Sequence, residues 1–239
     1  MTAELQTAAA TARRPRIVLI HAVREAIDPV RAAFAADMPH ADVHDLLETA
    51  LSADLATEGG VLNASMIERF RTLGRYAAAT SAAGRTTDAI LFTCSAFGPA
   101  IEAVQRDLAI PVLKPNEAAF RQALDRGARI GLVVTFEPSL APLRAELEAL
   151  AKELGRRIDV EPRVIPPAMA ALRAGRAAEH DAMVAEAARD LTDVDVIVLG
   201  QFSTARAAQA VAKASGKPVI TTPAAAVAEM RQRLDARAG

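Results

Sequence analysis

The sequence predicts an α/β protein made of two pseudo-symmetric, Rossmann-like parallel-sheet domains that arose by internal duplication, with the active-site cleft between them. Short apolar runs alternate with alanine-rich helical stretches along the 239 residues. Several of these runs are apolar without interruption, as strands covered on both faces of a parallel sheet are. The same series of runs then recurs in the second half of the chain. Alternation of this kind implies right-handed strand–helix–strand crossovers.

The elements follow in order. RIVLI (16–20) opens the first copy, and DVHDLL (42–47), DAILF (88–92) and IPVL (110–113) continue it. RIGLVV (129–134) opens the second, followed by DVEPRVI (159–165), DVIVLG (195–200) and KPVIT (217–221). IEAVQRDL and LRAELEALAKEL space Leu and Val helically with charges on the opposite face. ERFRTLGRYAAA reads as an amphipathic helix face, suited to a subunit contact more than to phosphate.

Three segments match between the copies. RIVLIHAVREAIDPVRA, from Arg16, shares Arg, Ile, Leu, Pro, Arg and Ala with RIGLVVTFEPSLAPLRA, from Arg129. DVHDLLETALSADL, from Asp42, lines up with DVEPRVIPPAMAAL, from Asp159. DAILFTCSAFGPAIEAVQRDLAIPV, from Asp88, runs without a gap onto DVIVLGQFSTARAAQAVAKASGKPV, from Asp195, so that Cys94 falls on Gln201. Alanine inflates any single match, but three in the same order indicate a duplication. The expected division is a disordered lead-in over 1–15, a first domain over 16–114 plus 218–239, and a second over 115–217.

Composition bounds the function. An apolar content of 51% suffices for a sizeable core, and a net charge of -1 gives nucleic acid or an anionic membrane no electrostatic hold. One cysteine excludes an internal disulfide and fits a reducing, cytoplasmic setting. No apolar run approaches the ~20 residues that span a bilayer, and the first residues lack the apolar stretch of a secretory signal. The cysteine and four histidines show no metal-ligand spacing, and no GxGxxG or GxxxxGK[ST] follows a strand. Neither metal nor cofactor is expected.

Ligands of α/β sheets bind beyond the carboxyl ends of the strands. The cleft should therefore be lined by His21 and Ala22, Cys94 to Ala96, Lys114 to Asn116, Thr135 to Glu137, Gln201 to Thr204 and Thr221 to Pro223. A thiol there can serve as acid or base once a helix N-terminus or a cation lowers its pKa from ~8.5. Ser95 and the amides of SAFG offer an anion cradle before a helix that starts near Pro99, and Ser203 is placed to cap the helix in TARAAQAVAKA. Asn116 either caps the next helix or touches substrate. Thr135, Ser139, Thr221 and Thr222 have the same two readings, with capping the default. A lone cysteine is most often an inert buried group, but the strand-end position opposite a repeat-equivalent polar residue favours chemistry. His44 and His180 read as structural, and His40 as a loop residue.

LFTCSAFGPAIEAV, IPVLKPNEA and VIVLGQFSTA resemble the aspartate/glutamate/hydantoin racemase superfamily, over nearly the whole chain from about Arg16 to Leu234. The resemblance implies a cofactor-independent isomerase acting on the carbon alpha to a carboxylate or ring carbonyl, with a small carboxylate or hydantoin-like substrate and a homo-oligomer. Together with the strand-end positions, it makes Cys94, Gln201 and His21 the catalytic candidates, and Ser95, Ala96, Asn116, Thr135, Phe202, Ser203 and Thr204 the substrate-binding ones. The family's second cysteine is here Gln201, whose carboxamide has no usable pKa. Three mechanisms follow. Cys94 is a lone acid/base for decarboxylation, stereospecific protonation or a keto–enol shift; or it is a covalent nucleophile, as a hydrolase would use; or another base replaces the missing thiol, His21 first and Glu137 or Lys114 after it. Isomerase chemistry ranks first, and a catalytically silent small-acid-binding protein is the alternative from another class.

Overall fold

Two parallel four-stranded sheets organise residues 14–238, the part of the chain described by the computed structural model. Of the lead-in expected over 1–15, only Arg14 and Pro15 are among the described residues. The first sheet has the order β2-β1-β5-β6, from β1 (Arg16–His21), β2 (Asp42–Leu47), β5 (Ala89–Phe92) and β6 (Val112–Leu113). The second has the order β8-β7-β9-β10, from β7 (Arg129–Val134), β8 (Asp159–Val164), β9 (Val196–Leu199) and β10 (Val219–Thr221). The topologies are identical, as a duplication requires. A short hairpin, β3 (Ser81–Ala82) with β4 (Arg85–Thr86), has no counterpart in the sequence reading; it turns through Ala83 and Gly84, both at positive φ (51° and 76°).

Strand residues alternate cleanly between faces. In the first sheet Val18, Ile20, Ile90 and Phe92 point to one core, and Ile17, Leu19, Ala89 and Leu91 to another. In the second sheet Ile130, Leu132, Val196 and Val198 face one core, and Val133, Ile197 and Leu199 the other. The aspartates that open the third strand of each copy explain one conspicuous match. Asp88 accepts a hydrogen bond from the Arg16 N–H (2.8 Å), and Asp195 accepts one from the Arg129 N–H (2.9 Å). Each carboxylate pins the start of its neighbouring strand.

The helices are α1 (Ile27–Asp37), α2 (Ala50–Thr57), α3 (Ala64–Ala79), α4 (Gly98–Asp107), α5 (Glu117–Arg126), α6 (Leu140–Glu153), α7 (Pro166–Arg173), α8 (Ala177–Ala188), α9 (Ala208–Ser215) and α10 (Thr222–Ala238). Two of them cross between halves. α5 follows β6 of the first sheet but buries Phe120, Ala123 and Leu124 in a core of the second. α10 follows β10 of the second sheet but buries Ala226, Val227 and Met230 beside Ile17 and Leu19 of the first. The exchange locks the halves together at Lys114–Asn116 and again at Thr221–Thr222. The expected boundary at 218 is corrected by one strand: Val219–Thr221 pairs with β9, because the KPVIT run completes its own sheet before the chain crosses over.

Around Cys94 the backbone is held by aromatic packing. Phe92 at the end of β5 and Phe97 just beyond Cys94 both meet Phe70 of α3, with ring centroids 5.3 and 4.8 Å apart. Each contact is worth about 0.5–1.5 kcal/mol beyond area burial. The strand end and the turn after it are thereby fixed on either side of the cysteine.

Candidate active site

Cys94 and Gln201 occupy equivalent places. Each is extended (φ -113°, ψ 122° and φ -135°, ψ 146°) and each leads into a 3-10 turn, Ser95–Phe97 and Phe202–Ala207. The expected helix at Pro99 is α4, with the proline in its first turn. Ser203 does not cap a helix: α9 begins only at Ala208, because the 3-10 segment intervenes. The two turns meet the other half, so that the residue after the thiol touches the residue before the amide. Ser95 Oγ lies 3.1 Å from the Gly200 carbonyl and 3.2 Å from Asn116 Oδ1, either of which accepts its proton.

Cys94 is half-buried against the first-half core, which includes Ala22, Ala96 and Phe97. Burial pushes its thiol up to about 11, against the pull of the Ala96 N–H. The expected lowering by the following turn is overturned, because one backbone donor and no cation cannot offset desolvation by apolar neighbours. At neutral pH the sulfur carries its proton.

Gln201 is held by three hydrogen bonds. Its Oε1 accepts from the Thr135 N–H (2.7 Å) and the Thr135 hydroxyl (3.0 Å), and its Nε2 donates to Ser139 Oγ (3.3 Å). His21 is completely buried, with Nδ1 2.8 Å from Thr93 Oγ1 and Nε2 3.0 Å from Asp45 Oδ1. Burial lowers its pKa despite the Asp45 hydrogen bond. With both ring nitrogens occupied and no exposed surface, it is not placed as the replacement base that contacts substrate.

The remaining expected residues separate into two groups. Ser95, Ala96, Asn116 and Ser203 are buried at the junction. Asn116 stands at the N-cap of α5, yet its side chain makes no cap hydrogen bond and turns to Ser95 instead. Its Nδ2 is buried, close enough to the Glu146 carboxylate to favour the ion but outside hydrogen-bond geometry. Thr135 is committed to Gln201, and Thr204 donates to the Gln201 carbonyl (2.7 Å). Phe202, expected to bind substrate, inserts instead into the first-half core, since an aromatic ring after a polar strand end finds its burial across the junction. Glu137 is exposed in its turn, and Thr222 Oγ1 is buried with no hydrogen-bond partner.

A cleft of about 430 Å³ opens beside Ser95, between α4 and α6, with Pro99, Glu102, Lys114, Glu117 and Glu146 on its walls. Lys114 Nζ sits 3.1 Å from Glu146, 3.2 Å from Glu102 and 3.6 Å from Glu117. Burial alone would lower its pKa, but these carboxylates hold it above the ordinary value, so Lys114 stays a cation and is no base. Glu146, missed by the sequence reading, is raised by burial against the opposing Lys114 charge. Its signal was present: it lies on the inward stripe of α6 beside Leu143, Leu147 and Leu150. Among the described residues, no three His, Cys, Asp or Glu side chains are grouped to hold a metal ion, and no helix is long and apolar enough to cross a membrane.

Comparison with known proteins places this geometry. The fold is similar to a glutamate racemase, RacE1, from Bacillus anthracis, with TM-score 0.69 and 16% identity over 93% of this chain and 82% of that one. It is similar also to the Picrophilus torridus aspartate racemase, with TM-score 0.69 and 11% identity over 92% of this chain and 94% of that one. Allantoin racemase from Pseudomonas fluorescens matches with TM-score 0.63 and 20% identity over 92% of both chains. No curated protein sequence matches. The family model for Asp/Glu/hydantoin racemases covers residues 1–230, and with a strand-end cysteine, a duplicated sheet and a junction between the copies, the chain belongs to that family.

Proposed function

We propose that the protein is a cofactor-independent enzyme of the racemase/isomerase superfamily that delivers a proton, from one face, to the carbon alpha to a carboxylate or ring carbonyl of a small acid. The observation that supports this reading is the pairing of one protonated thiol with an amide held by three hydrogen bonds within its own half, two at its oxygen and one at its nitrogen. Racemisation needs an acid/base group on each face of the carbon. At the Gln201 position no group exchanges a proton near neutral pH.

The chemistry runs on charge placement. The substrate carboxylate is held at the junction by the buried amide of Asn116, by the peptide N–H groups that open the two turns, and by Ser95 once its hydroxyl turns away from the Gly200 carbonyl. In a 2-substituted malonate, the bond to the second carboxyl group breaks, CO₂ leaves, and the electron pair remains on the alpha carbon as an enediolate. The S–H of Cys94 gives its proton to that carbon, and the resulting thiolate takes a proton from water. A carbanion formed by enolisation is quenched by the same step. Because the resting thiol is an acid, proton delivery suits it better than proton abstraction or nucleophilic attack, both of which need the thiolate. Cytoplasmic location, a homo-oligomer, and the absence of nucleic-acid and membrane partners belong to the same proposal.

The test is proton NMR in heavy water with 2-substituted malonates, small 2-substituted acids and hydantoins. Deuterium enters one prochiral position of a product, and Cys94→Ala lowers the rate by at least about 10³-fold. Incorporation that survives in Cys94→Ala, or a racemic label, overturns the reading.

A further inference from the structure

We propose that His21 is a positioning residue: through Thr93 it fixes the backbone that carries Cys94, as the inner link of a chain running from Arg31 through Asp45. The geometry is continuous. Arg31 Nε donates to Asp45 Oδ2 (3.0 Å), Asp45 Oδ1 meets His21 Nε2 (3.0 Å), and His21 Nδ1 meets Thr93 Oγ1 (2.8 Å), one residue before the thiol. The chain begins on a part-exposed arginine of α1 and ends on a buried threonine. Asp45 and Arg31 are the charged groups that act on the ring.

The direction of each hydrogen bond follows from charge. Burial alone would raise the Asp45 pKa, but its bonds to Arg31 and His21 hold it lower, so it is an acceptor and takes the Nε2 proton. The neutral ring then presents a bare Nδ1, and the Thr93 hydroxyl donates to it. A protonated ring would donate from Nδ1 instead and turn the hydroxyl toward the Ile20 carbonyl, 3.4 Å away.

The duplicated half supplies an internal control. Val134, Pro162 and Gly200 stand where His21, Asp45 and Thr93 stand, so the three inner links are absent there; Arg31 keeps a counterpart, Arg144, which pairs with Glu148 instead. The strand ends are nevertheless the same. Thr93 N–H donates to the Ile20 carbonyl (3.0 Å), and Gly200 N–H to the Val133 carbonyl (2.9 Å). Backbone bonding alone therefore terminates the strand, and the side-chain relay is an addition specific to the half that bears the thiol. It keeps Cys94 seated against its dry neighbours, where the sulfur retains its proton.

This inference rests on Cys94 being the reactive group, but its test needs no substrate. Cys94 is the only thiol, so the rate of carboxamidomethylation by iodoacetamide, read by intact mass from pH 6.5 to 11, reports that residue alone. Thr93→Val removes the hydroxyl and keeps the shape. The loosened turn gives water more access to the sulfur, so alkylation at pH 8 speeds up by about tenfold and its midpoint moves down by about one unit. Thr93→Ser restores the wild-type profile to within about twofold. Asp45→Asn, at the outer end of the relay, shifts the profile the same way by about threefold and guards against a misfolded Thr93→Val. A folded Thr93→Val or Asp45→Asn variant whose profile superimposes on wild type overturns the proposal. Failure of deuterium incorporation with a shifted alkylation profile would overturn the proton-delivery reading alone.

Discussion

The residue after the third strand meets opposite surroundings in the two halves. In the second half, Gln201 finds Thr135 and Ser139 as hydrogen-bond partners, while Val134 and Gly200 beside it carry no polar side chain. In the first half, the positions equivalent to Thr135 and Ser139 are Ala22 and Ala26, both buried, while the equivalents of Val134 and Gly200 are His21 and Thr93, linked to each other. One backbone geometry thus presents an amide tied down from the front and a thiol held from behind. A duplicated scaffold sets where a side chain stands; the neighbours at equivalent positions decide its protonation and freedom. In the proposed chemistry they leave one half to exchange a proton and the other only to shape and hydrogen-bond.

Three changes probe this asymmetry. The largest effect is expected from Gln201→Leu, which leaves the Thr135 N–H and hydroxyl and the Ser139 hydroxyl without their partner in a buried site. The cost is about 3 kcal/mol, a fall in Tm of roughly 6–12 °C by calorimetry. An unchanged Tm would mean that the amide is not held as described. Next is Gly200→Thr, which copies Thr93 into the second half. A Cβ there would meet Leu132 Cδ1 at 3.0 Å and Leu143 Cδ1 at 3.3 Å, so overpacking costs about 2 kcal/mol, seen as a lower urea midpoint. Tolerance of threonine would show the halves to be interchangeable at that point.

The smallest effect is acid sensitivity of the relay. The folded chain favours neutral His21, so the unfolded chain binds the proton more tightly. Stability from this group is complete above the unfolded value near 6.5 and declines as pH falls below it. The slope stays under about 1.4 kcal/mol per pH unit, the limit for one proton. His21→Phe should flatten that part of the Tm–pH curve, and a variant curve parallel to wild type would remove His21 as its source.

Much of this architecture was legible. Continuous apolar runs, the matching aspartates at 88 and 195 and the gapless match of the third segments located all eight main strands and paired Cys94 with Gln201. Asn116 was recognised as ambiguous between cap and ligand, and its side chain turns away from the cap. The hairpin at Ser81–Thr86 escaped because two-residue strands leave no periodicity. Phe202 was misassigned because a strand-end position does not reveal which core an aromatic ring enters. Glu146 was overlooked, although it shares the leucine stripe of α6, because a glutamate among the charges of that helix reads as surface.

The sequence by itself determined the duplication, the parallel sheets, and the arrival of one thiol and one carboxamide at equivalent strand ends, because strand periodicity and repeat register are local properties of the chain. Only the tertiary structure decided the protonation of Cys94, the confinement of His21, the engagement of Gln201 and the exchange of α5 and α10 between halves. These depend on desolvation and on hydrogen bonds between residues distant in sequence, such as His21 with Thr93 or Ser95 with Gly200, which no window along the chain contains.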